Sequence, residues 1–500
     1  MINLRNVQRA TIVGGGTAGW IASFFMKECF PQADITVVES SSIGILGAGE
    51  GTFVDFHDFL IRFGIDEKSF MEKTSATYKL GVCFDGWLDG TPRDRYYHWF
   101  ADKKLSAASK FALPNDDLDL YLSYLVAKGV RVDSVTDYMA LVENNASQET
   151  VRNYLRDSRD YVKFAYHFDA HRVASFLREE AKTRGIHRID ARVTDVTCSG
   201  DRVESLTLDD GSKVTSDFFV DASGFRHLMI GRLGTKWVDL SGELPVNKAL
   251  AFLLPIKSKH PPLVTRSIAM KSGWMWMIPT GERLGCGYVY ADQYISDEDA
   301  TKEIEDVVGQ EVQIINNIQF KSGYHQQVWK GNCLAVGLAA SFLEPLEATS
   351  IVHTLTQLVH FSTVLVRGAK VITQGQIEAY NLRYTRTIES IKDFLLMHYV
   401  SKREDTPFWK DMKNLTKNNN MGELLELLKC RLPREFEAYF GFEKYHVSFP
   451  ALSYLSVAQP LGLVDASIAE QELNCLDSES LKVIAAFHKE FSAKNTSFGP

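Results

Sequence analysis

The stretch Ala10-Thr11-Ile12-Val13-Gly14-Gly15-Gly16-Thr17-Ala18-Gly19-Trp20-Ile21-Ala22-Ser23-Phe24-Phe25-Met26 decides the fold class. A short apolar run ends in glycines and passes at once into a longer apolar segment, the order strand, tight turn, helix that opens a βαβ unit. The next apolar run, Ile35-Thr36-Val37-Val38, closes on Glu39, twenty positions after Gly19. That distance suits a dinucleotide. Pyrophosphate would rest on the amides at the helix start, and a carboxylate at the second strand's end would reach a ribose hydroxyl. Gly14, Gly16, Thr17, Ala18, Gly19 and Glu39 are therefore the expected cofactor-binding residues. The plainer alternative is a glycine turn that only packs a helix on a sheet; the acid at this spacing favours the dinucleotide.

Outward from this unit, residues about 60–160 are richer in aromatics and helical patterns and read as a substrate-side insertion. A helix is predicted from Ala170 to Lys182, with Val173, Phe176 and Leu177 on one face. The buried run Asp217-Phe218-Phe219-Val220-Asp221-Ala222-Ser223-Gly224 then returns the chain to the nucleotide sheet. A mostly β stretch spans Ala251 to Tyr290, and a third return strand runs from Cys333 through Gly337 to Ala339. From about 370 the pattern is helical. The expected architecture is α/β, an FAD-binding βαβ nucleotide domain of the aromatic-hydroxylase type with insertions over 1–370 and a helical C-terminal lobe over 371–500. Three separate segments converging on one sheet favour FAD over NAD, and they add Asp221 and Gly337 to the cofactor-binding set.

Composition narrows the function further. The 500 residues carry 63 acids against 55 bases, a net charge of -8, which argues against nucleic acid or an anionic membrane as partner. Seven cysteines are scattered without a C-x-x-C pair, so neither a disulfide framework nor a metal site is expected. The N-terminus enters a strand pattern without a secretory leader, and no apolar run is long enough to span a bilayer. A reducing, cytoplasmic setting is the expectation.

Gly273-Trp274-Met275-Trp276-Met277-Ile278-Pro279 reproduces the W-x-W-x-I-P signature of flavin-dependent halogenases. Further blocks resemble that family in the same order: Gly47-Ala48-Gly49-Glu50-Gly51-Thr52, Tyr78-Lys79-Leu80-Gly81, His98-Trp99-Phe100, Asp221-Ala222-Ser223-Gly224-Phe225 and Glu344-Pro345-Leu346-Glu347-Ala348-Thr349-Ser350. The chain thus resembles the tryptophan halogenases over nearly its whole length. The resemblance implies that FAD, supplied as FADH2 by a separate flavin reductase, reacts with O2 and halide, and that hypohalous acid travels through the interior to Lys79. It implies further that Glu347 is the second catalytic residue, that Ala48 and Gly49 touch FAD, and that the amides of Thr349 and Ser350 hold halide. His98 and Phe100 would sandwich a small aromatic substrate, and a homo-oligomer is expected.

The residues themselves fit those roles. An ammonium can hydrogen-bond and polarise hypohalous acid or become a haloamine, and a fixed side chain makes the electrophile regiospecific. A carboxylate can take the proton that the attacked ring must lose. Departures mark the substrate and halide ends. Ser350 and Ala348 stand where many relatives have Gly and Ser, so bromide is expected to serve at least as well as chloride, with iodide as an extension. Trp99 stands where relatives usually have Pro, and Tyr454 is the nearest counterpart of the residue that packs on tryptophan. A free electron-rich aromatic of the indole or phenol type is the expected substrate, with no clear match here to the residues that anchor tryptophan in relatives. The alternative is an aromatic hydroxylase of the same fold, which has no use for Lys79 with Glu347 and usually binds NAD(P)H itself.

Overall fold

A computed structural model gives the fold and describes residues 2–44, 50–91, 94–100, 117–157, 162–367, 370–416, 421–434 and 449–493. Ala48 and Gly49 lie outside the described residues. Two compact units emerge, each assembled from three separated stretches: Met1–Ala76, Phe168–Asn247 and Ile318–Ile388 in the first, Thr77–His167, Lys248–Asn317 and Glu389–Pro500 in the second. In the C-terminal third the boundary falls at Ile388, whereas the sequence pattern suggested 370.

The first unit is built on a six-stranded sheet in the order Trp329–Lys330, Cys333–Ala335, Phe218–Asp221, Arg9–Val13, Asp34–Glu39, His187–Asp190. All pairs are parallel except the outermost, Trp329–Lys330 against Cys333–Ala335. The inner strands are buried almost end to end, as a sheet covered on both faces requires. Helix Thr17–Cys29 covers one face beside helix Ala170–Thr183, and its Phe24 and Phe25 pack edge-on against Phe63 at 5.4 and 5.1 Å. In register, Val13 stands opposite Val38 and Asp221, and Asp221 opposite Ala335. The strands therefore end level, and the turns after them leave from one edge of the sheet. A bound nucleotide is expected at that carboxyl edge.

A second sheet has seven strands in the order Asn316–Gln319, Lys248–Pro255, Arg283–Tyr290, Gly273–Pro279, Val264–Met270, Gly81–Asp85, Arg95–Trp99. Helix Asp297–Val308 covers one face of this sheet, its Ala300 and Ile304 packed with Phe252, Met275, Cys286 and Tyr288. Ser296 caps that helix by accepting from the amide of Asp299. Apart from the sheet, the helix Asp117–Ala127 from the central insertion shares a core with Ala451–Ala458, Ala466–Asn474 and Ser478–Ala493 from the C-terminal region, through Tyr121, Leu125, Leu455, Ala469 and Ile484. The insertion and the helical end of the chain are thus one structural body. Among the described residues no helix is long and apolar enough to cross a membrane.

Candidate active site

The glycine turn is a main-chain construction. Gly14 has φ +123°, and a Cβ there would lie 2.1 Å from the carbonyl oxygen of Ala222; a Cβ on Gly19 would lie 1.9 Å from that of Gly14. Close approach of the helix start to the sheet needs both positions bare. Gly16, by contrast, faces open space with nothing within 4 Å of a would-be Cβ. It is also the N-cap of helix Thr17–Cys29, which has no side-chain cap and no acid in its first turn. A helix start beside an open volume fits a pyrophosphate. Glu39 closes the cradle: its Oε2 lies over Gly15, while Oε1 accepts from Arg188 at 2.5 Å and lies 3.6 Å from Arg178. The residues present fit FAD: the helix start at Gly16, facing open space, would hold its pyrophosphate, with Glu39 at the edge of the cradle.

Asp221 serves the site indirectly. It is fully buried, with Oδ1 accepting from the amide and hydroxyl of Ser223 at 3.1 and 2.6 Å and Oδ2 from the amides of Met229 and Ile230 at 2.7 and 2.9 Å. Four donors leave it to shape the Ala222–Gly224 turn. The third turn packs onto the first: Gly337, at φ +58°, faces the Cβ of Ala18 at a distance that a second Cβ would cut to 2.7 Å.

Further along the same unit, Glu347 ends the one-turn helix Pro345–Glu347 and is 1% exposed. Ala348 then adopts a left-handed conformation, φ 55° and ψ 37°, and helix Thr349–His360 begins with no side-chain cap and no acid in its first turn. Thr349 is buried and Ser350 exposed. An uncapped helix start carries partial positive charge and unsatisfied amides, chemistry suited to a halide.

Lys79 lies in the second unit. Strand Thr77–Lys79 pairs antiparallel with Ala165–Phe168, with Thr77 opposite His167, Tyr78 opposite Tyr166 and Lys79 opposite Ala165. Opposed residues share a side, so Thr77, Lys79, Ala165 and His167 occupy one side of the ladder and the two tyrosines the other. Lys79 is 0% exposed, and its Nζ lies 5.6 Å from the ring centre of Phe100. The ring face attracts the ammonium and supplies part of what water would otherwise give.

His98 is held differently. In the larger sheet it stands opposite Val82, which is paired with Thr265; one step along, Tyr96, Phe84, Ser267, Trp276 and Gly287 form a continuous row. His98 and Trp276 therefore rise from the same face, away from helix Asp297–Val308. The ring of Trp276 lies flat over Gly287, where a Cβ would sit 2.2 Å from it, and its Nε1 is buried with no hydrogen-bond partner among the described residues. Trp274, 1% exposed, packs against it edge-on at 6.3 Å. Nε2 of His98 lies 2.7 Å from Oγ of Ser453. Its ring is 5.6 Å from Phe394 and 6.2 Å from Phe449, which stack on each other at 3.9 Å, and Tyr454 meets Phe394 edge-on at 5.1 Å.

The structure thus brings His98 and Tyr454 to one aromatic cluster around Phe394 and sets Phe100 beneath Lys79 instead. Phe394, Phe449 and Ser453 were missed by sequence reasoning. No periodic pattern points to them, since they meet His98 from more than 290 residues away along the chain. His167 was missed too, although a histidine inside the buried run Ala165–Phe168 is a legible anomaly.

With this geometry in place, the chain matches the tryptophan halogenase family over residues 9–473. It is 32% identical to the tryptophan 6-halogenase SttH of Streptomyces toxytricini, covering 95% of each chain. Among solved structures it is similar to Tar14, a tryptophan C-6 flavin-dependent halogenase from taromycin biosynthesis, with 28% identity, TM-score 0.83 and coverage of 97% of this chain and 96% of Tar14. It is likewise similar to Xcc4156, a flavin-dependent halogenase from Xanthomonas campestris, with 29% identity, TM-score 0.77 and coverage of 98% and 96%. The sheet order, the glycine cradle and the match along the whole chain lead to one conclusion: the protein belongs to the tryptophan halogenase family and is a flavin-dependent halogenase.

Proposed function

We propose that the protein halogenates a free, electron-rich aromatic of the indole or phenol type, with hypohalous acid delivered to Lys79 and Glu347 taking up the ring proton. The observation that carries this reading is Lys79 itself, a lysine with no exposed surface. Removing an ammonium from water costs several kcal/mol even after relaxation, and folds rarely retain such a group without a task for it. The ring of Phe100 offsets part of that cost.

FAD, bound at Gly14, Gly16, Thr17, Ala18, Gly19 and Glu39, supplies the oxidation of halide by O2. The chain's own residues do the rest. Amides of Thr349 and Ser350 hold the halide, and the left-handed Ala348 aims them. Trp274 and Trp276 wall the sheet face and exclude a nicotinamide, so that reduced flavin comes from a separate reductase. The aromatic cluster of His98, Phe394, Phe449 and Tyr454 receives the flat substrate ring. It offers apolar faces and the hydroxyl of Ser453, which suits an arene without a charged amino-acid end.

Bromide is oxidised more easily than chloride, and an anion held by amides at a helix start is selected only weakly by size. Incubation with FAD, a flavin reductase, equal chloride and bromide, and a panel of indoles and phenols tests the reading by product mass. Brominated free indole or phenol as the main product is expected. Hydroxylated product, or halogenation confined to tryptophan, would contradict it.

A further inference from the structure

His167 is a titratable group that the reaction above leaves unused. It is 0% exposed and stands on the same side of its strand ladder as Lys79, as a diagonal neighbour. Its Nε2 lies 2.9 Å from Oγ1 of Thr265, which fixes the ring, and its Nδ1 is buried with no hydrogen-bond partner among the described residues. Ala165 lies beside it on its own strand, and Thr77 stands opposite with its hydroxyl donating to the carbonyl of Pro279 at 3.0 Å. Strand Val264–Met270 presents Thr265. Lys79 is the charge that acts on it: burial first, and then the lysine, hold its imidazole well below the usual pKa. Two cations side by side in a dry ladder would repel strongly, so the imidazole is held neutral.

We propose that His167 is the proton acceptor that allows Lys79 to take halogen, an inference that rests on the role assigned above to Lys79. An ammonium has no lone pair. For its nitrogen to bond halogen, one N–H proton must pass to the imidazole, leaving its electron pair to attack the halogen of hypohalous acid. The O–X bond breaks, and the hydroxide released takes a second N–H proton to become water. The products are the N-halo lysine, water and an imidazolium, with atoms and charge in balance. The first transfer is uphill, and attack of the neutral amine on halogen draws it forward by consuming the amine as it forms.

His167→Gln keeps an amide within reach of Thr265 but accepts no proton. The measurement is arene halogenation with chemically reduced FAD, from about pH 6 to about pH 9.5, on enzyme whose thermal midpoint matches the parent's. The expected result is a loss of about 10²-fold near neutral pH that shrinks steadily as hydroxide takes over the deprotonation, with the substrate KM unchanged. A merely structural role would give a loss independent of pH, and that outcome, or a parental rate at neutral pH, overturns the proposal. His167→Asn takes its place where the Gln variant does not fold. Lys79→Ala, run in parallel, separates the two readings. Halogenation at the parental rate by that variant removes the lysine's role and this inference with it, whereas a dead Lys79→Ala beside a fully active His167→Gln removes the inference alone.

Discussion

One methyl group on Gly19 would sit 1.9 Å from a backbone oxygen, whereas beside His98 the ring of Phe394 is centred 5.6 Å away and packs in turn on three other rings. The first unit positions its site with main chain: level strand ends, a glycine turn and a left-handed Ala348. The second positions its site with side chains gathered from Lys79, His98, Phe394 and Phe449. Backbone geometry has few solutions and tolerates no added atoms. Aromatic packing has many, and substitutions there move shape and specificity before they abolish the fold.

Four substitutions sharpen that contrast. The largest effect is expected from Gly19→Ala, whose Cβ can be accommodated only by parting helix Thr17–Cys29 from the sheet. A stability loss above about 4 kcal/mol in denaturant titration is predicted, and a loss under about 1 kcal/mol would show that the turn is pliable. Phe394→Ala should cost about 3–5 kcal/mol as a core truncation yet leave a folded enzyme that accepts bulkier arenes, read as a shift in product distribution. An unchanged substrate profile would dissociate the cluster from substrate. Gly16→Trp should leave the thermal midpoint near the parent's, because the space is open, while FAD affinity by fluorescence titration falls by about 10²-fold, roughly 2.7 kcal/mol. Retained affinity would misplace the pyrophosphate. The smallest effect at neutral pH concerns His353, which burial pushes down to about 4 from its ordinary 6.5. Its folded pKa lies below its unfolded one, so the unfolded chain binds the extra proton; stability is whole above about 6.5 and is lost as pH falls toward 4. His353→Phe should flatten that acid slope by up to about 3 kcal/mol, and an unchanged slope would place its origin in other groups, His325 among them, held at about 4 by burial and by His227.

The same contrast governs what was legible beforehand. Glycines before a helix and an acid twenty positions on are local consequences of a backbone that must let a ligand approach, so the cradle could be read from residues 10–39 alone. Lys79 stood out through its apolar flanks, Tyr78 and Leu80, as well as through blocks shared with a family, whereas Glu347 stood out through those blocks alone, because a first-turn acid is otherwise ordinary. Asp221 was visible as a strand end, but two of its four donors come from Met229 and Ile230, eight and nine positions on in the following turns. Phe394 and Ser453 join His98 only when three distant segments close into one body, and no spacing rule reaches that far.

Lys79→Ala tests the central claim most directly, with flavin oxidation and arene halogenation followed in the same reaction. The account predicts that oxygen is consumed at the parental rate while halogenated arene falls by about 10²–10⁴-fold, since the lysine acts after halide has been oxidised. Halogenated product at the parental rate and ring position would contradict it, and would make freely diffusing hypohalous acid the reagent.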